Sequence, residues 1–202
     1  MTAMREISAN KEDIIRDGGL FFSFSTDPCL PETFPTNAAV ISACLFRGIP
    51  VTVLTKATRW IGTETGRRIL SLGNDSATLN VGFTLTGRDD LEPNAPTNAG
   101  RVEAMEHIRE TYPDVRIWVS LEPVIDYCAS LDMLRSAVGM VNHVKVGLLT
   151  GKGTAGRFKD EDVTGFVEEV NGIVAERPVM VYFKESVRSH LPKDCREKYE
   201  SK

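Results

Sequence analysis

No two of the four cysteines stand close together. Cys29, Cys44, Cys128 and Cys195 are scattered over the 202 residues, so the chain has neither a CxxC pair nor a CxxxCxxC loop of metal-ligand type. A disulfide framework is not expected either, because the chain is long and its start, Met1-Thr-Ala-Met4, has no apolar leader segment behind it. The expected setting is a reduced cytoplasm. Positive charge is also scarce: 24 Lys and Arg stand against 28 Asp and Glu, a net charge of −4. That balance gives no electrostatic case for wrapping nucleic acid or docking on an anionic membrane. Apolar residues make up 42% and charged residues 26%, which excludes a disordered or membrane-embedded chain and leaves enough material for one sizeable core. The sequence shows no internal break in composition, so residues 1–202 are expected to form a single domain.

What the chain does have is a repeating unit of short apolar run, polar turn and helical stretch. The strand-like runs are Leu20-Phe-Phe-Ser-Phe-Ser25, Val51-Thr-Val-Leu54, Leu79-Asn-Val-Gly-Phe83, Val115-Arg-Ile-Trp-Val119, His143-Val-Lys-Val146 and Pro178-Val-Met-Val-Tyr-Phe183. Between them, apolar residues recur at helical spacing. Ala39, Val40, Ala43 and Phe46 follow a cap at Thr36-Asn37 and end at Gly48. A shorter helix stops at Gly73, and Val102, Met105 and Ile108 precede Pro113. Leu131, Leu134 and Val138 follow a cap at Ser130, and Val163, Phe166, Val167, Val170, Ile173 and Val174 form the clearest amphipathic face. Strands alternating with helices imply parallel pairing through right-handed crossovers. Their nearly unbroken apolar character fits a parallel sheet covered on its faces. The fold class is therefore α/β, a parallel sheet of alternating β/α units. Residues 1–19 supply one helix over 8–16 and a lead-in, and residues 193–202 a frayed charged tail. A helix leading into the first strand is an odd beginning for such a fold, as though one strand were missing before it.

In parallel α/β folds the chemistry sits at the carboxyl ends of the strands. Here those ends read Ser25-Thr-Asp-Pro28, Thr55-Lys56, Thr84-Leu-Thr86, Ser120-Leu-Glu-Pro123, Lys145-Val-Gly147 and Lys184-Glu-Ser186. At any one position a helix-capping role is the simpler explanation. Asp27 and Glu122 stand out because each precedes a proline, which biases the acid toward extended geometry. Asp27 and Glu122 beside Lys56 and Arg101 form a set suited to a zwitterion, carboxylates taking an ammonium and cations a carboxylate. Other features carry less. Asp89, Asp90 and Glu92 read more simply as a solvated turn than as a cation site. His107 and His190 are expected on the surface, His143 and Trp118 in structural roles. Gly151-Lys-Gly-Thr-Ala-Gly156 lacks the GK[ST] ending of a P-loop and is expected to be a mobile loop. Ser25 has no histidine partner nearby for a hydrolase triad.

Phe22-Ser-Phe-Ser-Thr-Asp-Pro-Cys-Leu-Pro-Glu32, Leu54-Thr-Lys56, Val81-Gly-Phe-Thr-Leu-Thr86, Asp89-Asp90, Glu92-Pro-Asn-Ala-Pro96, Arg101 with Met105, Trp118-Val-Ser-Leu-Glu-Pro-Val-Ile-Asp126, Lys145-Val-Gly147 and Tyr182-Phe-Lys184 follow one another in order. This ordered set resembles the radical SAM superfamily, specifically proteins like spore photoproduct lyase. The resemblance implies a partial (β/α)6 TIM-like barrel in which a 4Fe–4S cluster, held by a CxxxCxxC loop, cleaves S-adenosylmethionine to a 5′-deoxyadenosyl radical. It implies Thr26 and Asp27 near the methionine amino group, Lys56 and Arg101 toward its carboxylate, Thr84 or Thr86 toward the ribose, and Glu122 near the sulfonium or substrate. The departure is equally informative. With no CxxxCxxC and, on this pattern, no first strand, the chain matches a radical SAM protein without its amino-terminal part, inactive unless a second chain or a longer form supplies the cluster. Met1 or Met4 would then be an internal start. Two alternatives remain: a cluster-less module binding a small ligand, and an unrelated (β/α) barrel enzyme using Asp27, Lys56 and Glu122 for acid–base chemistry. No basic stripe or stacking platform supports carrying over a DNA substrate.

Overall fold

Gly18 and Gly19 turn the chain onto its first strand for a steric reason. Both adopt positive φ, +92° and +98°. A Cβ on Gly19 would run into the Pro50 carbonyl, whose oxygen accepts the Leu20 N–H at 2.9 Å. Only glycine meets both conditions. The computed structural model describes residues 2–22, 26–151, 154 and 156–199. Helices α1 (Thr2–Ala9) and α2 (Lys11–Arg16) precede strand β1 (Leu20–Phe22). There follow α3 (Phe34–Phe46), β2 (Val51–Thr55), α4 (Glu64–Ser76), β3 (Leu79–Thr84), α5 (Asn98–Thr111), β4 (Arg116–Val124), α6 (Tyr127–Ala137), β5 (His143–Leu148), α7 (Asp160–Val174), β6 (Met180–Phe183), α8 (Glu185–Arg188) and α9 (Lys193–Tyr199). The strands form a six-stranded parallel sheet in chain order. The α/β class and the alternation of units are as the sequence indicates. No described helix is long and apolar enough to cross a membrane.

The chain divides into two compact units, Met1–Phe83 with Glu103–Ile117, and Thr84–Val102 with Trp118–Lys202. In the first, β1 pairs with β2 from Leu20↔Val51 to Phe22↔Val53, and β2 with β3 from Val51↔Leu79 to Thr55↔Phe83. Ile41, Cys44, Ile49, Val51, Ile69, Leu70, Leu79 and Val81 are buried there. Cys44, on α3 between Ile41 and Leu45, is fully buried and behaves as a small hydrophobe. α3 starts from Thr33 rather than from the Thr36-Asn37 cap. The Thr33 hydroxyl donates to the Asp27 carbonyl at 2.7 Å, and Asn37 donates to the Pro28 carbonyl at 3.1 Å. Gly48 does end α3: the Gly48 N–H reaches Leu45 O and the Ile49 N–H reaches Cys44 O, the paired bonds of a Schellman ending. Gly73 does not end α4. The helix runs on to Ser76 and turns at Ala77, φ +50°; Gly73 is small because a Cβ there would collide with the Leu79 side chain.

In the second unit β4 pairs with β5 (Trp118↔His143, Ser120↔Lys145) and β5 with β6 (His143↔Met180, Lys145↔Tyr182). Strand alternation sends Val119, Leu121, Val144, Val146 and Phe183 to the opposite face, and all five are fully or almost fully buried. α7 contributes Val163, Phe166, Val167, Val170 and Val174 to this core, as its periodicity predicts, while Ile173 is only half-buried. The cap of α6 is Asp126, which accepts the Ala129 N–H at 2.9 Å. Ser130 lies inside the helix, buried, so its expected capping role is corrected. The carboxyl-terminal tail also differs from expectation. α9 is anchored by Tyr199, whose ring meets Phe183 edge-on at 5.0 Å and whose hydroxyl accepts the Asn171 amide at 2.8 Å. At the amino end, two short helices break at Asn10 in place of one helix over 8–16. The end of the first predicted strand with Ser25, and Lys152, Gly153 and Ala155 of the glycine-rich loop, lie outside the described residues.

Candidate functional site

Asp27 follows the exposed Thr26 just beyond β1 and organises the neighbouring strand end. Its Oδ1 accepts the Cys29 N–H at 2.9 Å and the Thr55 hydroxyl at 2.6 Å, and its Oδ2 accepts the Lys56 N–H at 2.7 Å. The Thr55 hydroxyl oxygen accepts the Ala57 N–H in turn. One half-buried carboxylate thus ties the loop after β1 to the carboxyl end of β2 and brings Asp27 against the Lys56 backbone. A carboxylate offers about four acceptor positions, so the three donors leave room for one further partner. Cys29 beneath it is buried. Burial raises its thiol pKa, the Asp27 charge adds to the rise, and a Thr55 hydrogen bond opposes it.

The loop after β3 is built around Arg101, whose side chain has no exposed surface. One Nη donates to the Thr84 carbonyl at 2.8 Å and the other to Glu92 Oε2 at 3.0 Å. The Thr86 hydroxyl donates to the same Glu92 oxygen at 3.0 Å. The Asn98 side chain accepts the Thr86 and Gly87 N–H groups, while Asp89 accepts the Asn98 backbone and side-chain N–H groups. Glu92 and Asp89, read from sequence as part of a solvated turn, are acceptors inside the loop. Arg88 and Asp90 do pair at the surface, and the Arg88 hydrogen bonds lower the Asp90 pKa. Arg101, Thr84 and Thr86 are thereby brought together, with Arg101 and Thr86 engaged by the loop itself.

Glu122 stands at the carboxyl end of β4, before a cis Pro123. Its side chain is 21% exposed; Oε1 pairs with Lys184 Nζ at 2.6 Å and Oε2 accepts the Ser120 hydroxyl at 2.8 Å. On β5, Lys145 places its ammonium 5.0 Å from the Trp118 ring centroid. His143 lies edge-on to the same ring at 6.4 Å, and burial followed by the Lys145 charge lowers its pKa. That keeps His143 neutral near pH 7 and agrees with a structural role. Lys145 and Lys184 were absent from the sequence-derived site. Both stand at strand ends in the sequence and within the ordered set that carries the resemblance, but neither was given a role there.

The cysteines do not fit an iron–sulfur cluster. Cys29 and Cys44 are buried, Cys128 on α6 is exposed and Cys195 on α9 is half-buried. Burial raises the pKa of both Cys29 and Cys44, whereas a metal ligand must be a thiolate. Among the described residues no three His, Cys, Asp or Glu side chains gather in a metal-binding group.

The backbone nevertheless resembles solved structures, SuiB of Streptococcus suis among them. The structure of SuiB bound to S-adenosylmethionine matches with a TM-score of 0.54 at 11% identity, over 73% of this chain and 36% of that one. A second crystal structure of SuiB gives 0.56 at 11% identity, again over 73% and 36%. SuiB bound to the precursor peptide SuiA gives 0.55 at 10% identity, over 76% and 36%. The chain therefore spans little more than a third of SuiB, and at this identity the likeness establishes a shared fold. No family model matches the sequence, and no curated protein does.

Proposed function

We propose that the chain is a radical SAM-like protein, or a piece of one, which binds S-adenosylmethionine at its strand ends but carries no ligands for the cluster that would cleave it. The observation that carries this reading is Asp27: a carboxylate pinned by three donors beside Lys56 and the exposed Thr26, in a fold shared with a protein solved with S-adenosylmethionine bound. In the first unit, Thr26 and Asp27 take the methionine ammonium and Lys56 its carboxylate. In the second unit, Arg101 and Thr86 hold the Thr84 loop from within. The protein works in the cytoplasm, and a second chain or a longer form supplies the cluster. The buried thiols also support the other reading, a cluster-less small-ligand module; the two share the binding step and differ in whether another polypeptide brings iron.

Calorimetric titration of S-adenosylmethionine into the anaerobically purified chain tests the binding step. The expected result is saturable binding that weakens about tenfold or more in Lys56→Ala, the loss of roughly one charge-assisted contact, and also weakens in Asp27→Ala. The exposed-pair variant Arg88→Ala serves as the control and binds normally. Because Asp27→Ala also releases the loop, Lys56→Ala carries the weight. Equal affinity in Lys56→Ala and the parent chain would remove the assignment.

A further inference from the structure

The buried face of β2 carries Val51, Val53 and Thr55, at 0%, 2% and 2% exposure. Thr55 is the polar member of that row. Strand propensity does not ask for a hydroxyl here, since near-isosteric valine suits a strand equally well. A local turn accounts for half of the bonding: the Thr55 oxygen accepts the Ala57 N–H at 2.9 Å, two residues on. The other half is long-range. The hydroxyl proton goes to Asp27 Oδ1 at 2.6 Å, 28 positions away, within the range of a charge-assisted O–H···O⁻ bond. The Cys29 thiol does not compete for that proton. Burial and the Asp27 charge keep it protonated, and a thiol accepts only weakly.

Each oxygen of a carboxylate offers about two acceptor positions. Oδ1 of Asp27 is filled by the Cys29 N–H at 2.9 Å and the Thr55 hydroxyl. Oδ2 accepts the Lys56 N–H at 2.7 Å and has one position left among the described residues. Two donors on Oδ1, from the loop after β1 and from β2, fix the plane of the carboxylate and with it the direction of the open position on Oδ2. A carboxylate only accepts, so a ligand group arriving there must donate. An ammonium does so with opposite charge, whereas a carbonyl or a second carboxylate would set acceptor against acceptor.

We propose, on the reading that S-adenosylmethionine binds at Asp27, that Thr55 is the positioning residue that makes this subsite selective for a protonated amine: by holding Oδ1 it presents the open position of Oδ2 to the ligand ammonium. Thr55 itself is buried and touches no ligand; it acts through Asp27.

The full chain is titrated calorimetrically with S-adenosylmethionine and with the analogue carrying hydrogen in place of the α-amino group, in the parent, Thr55→Val and Thr55→Ser. The parent is expected to bind S-adenosylmethionine about tenfold or more tighter than the analogue, the value of one charge-assisted hydrogen bond. Thr55→Val weakens the amine ligand about tenfold and leaves the analogue unaffected, so the ratio of the two affinities falls toward one. Thr55→Ser keeps the hydroxyl and restores the ratio. A purely structural role for Thr55 would weaken both ligands alike and leave the ratio intact; that outcome, or failure of serine to restore the ratio, would overturn the proposal. The comparison of ligands on the parent needs no variant and holds even if Thr55→Val does not fold: equal affinity for the two overturns the amine selectivity alone. A parent that binds neither ligand overturns the S-adenosylmethionine reading, and the role of Thr55 with it.

Discussion

Arg101→Met is expected to lower the unfolding free energy by about 3–5 kcal/mol, the cost of breaking a buried ion pair by removing one partner. The guanidinium is completely buried and joins the Thr84 carbonyl to Glu92, which is itself 11% exposed. Methionine fills a similar volume but donates nothing. The Thr84 carbonyl and the Glu92 carboxylate would then both lose the guanidinium in a desolvated space, while the Thr86 hydroxyl still donates to Glu92. The loss should be cooperative. Glu92→Gln alone weakens the loop by less, and in the double variant Arg101→Met/Glu92→Gln much of the first penalty disappears, because no buried charge is left unpaired. Urea denaturation of the four proteins measures this coupling. A single-variant loss below about 1 kcal/mol, the range of a solvent-exposed pair, would show that the Arg101 cluster does not hold the loop.

Gly19→Ala carries the second large effect, and its neighbour provides the control. At both Gly18 and Gly19 an alanine must adopt positive φ, which costs roughly 1–2 kcal/mol. At Gly18 nothing lies within 4 Å of the added carbon, so that is the whole penalty. At Gly19 the methyl also meets the Pro50 carbonyl, a backbone group that cannot swing aside, and overpacking adds about 1–3 kcal/mol. Gly19→Ala should therefore destabilise by about 2–5 kcal/mol and clearly more than Gly18→Ala. Thermal or urea unfolding decides it. Equal losses would mean that the close approach of the Gly18-Gly19 turn to Pro50 is not a constraint on the fold.

The β/α alternation was legible because it is written locally: apolar runs of strand length, helical periodicity between them, and breaks such as Gly48 and Pro50. Helix ends were less so where the deciding contact is distant in sequence. Gly73 looks like a stop signal, but its smallness answers Leu79 on the next strand, and Ser130 has the chemistry of a cap while Asp126 lies at the right place. At the site, Asp27 and Glu122 stood out because each is an acid at a strand end before proline. Their partners did not, since Thr55 and Lys184 reach them through sheet pairing and crossover, 28 positions away in the case of Thr55. Arg101 was selected for its charge, yet no sequence pattern showed that Glu92, in a turn of other acids, absorbs that charge internally. Lys145 stood at a strand end in the sequence, but its contacts with the Trp118 ring and the Glu122 charge arise only when β4 and β5 pair.

A strand-end binding surface without iron ligands is tested most directly by anaerobic reconstitution. The full chain is incubated with ferrous iron, sulfide and reductant, desalted, and assayed for protein-bound iron and sulfide. Thiols buried at Cys29 and Cys44 and dispersed at Cys128 and Cys195 predict no stoichiometric cluster, and no change in that result when Cys128 and Cys195 are both replaced by serine. A stable cluster retained by this chain alone, and lost with those replacements, would contradict it.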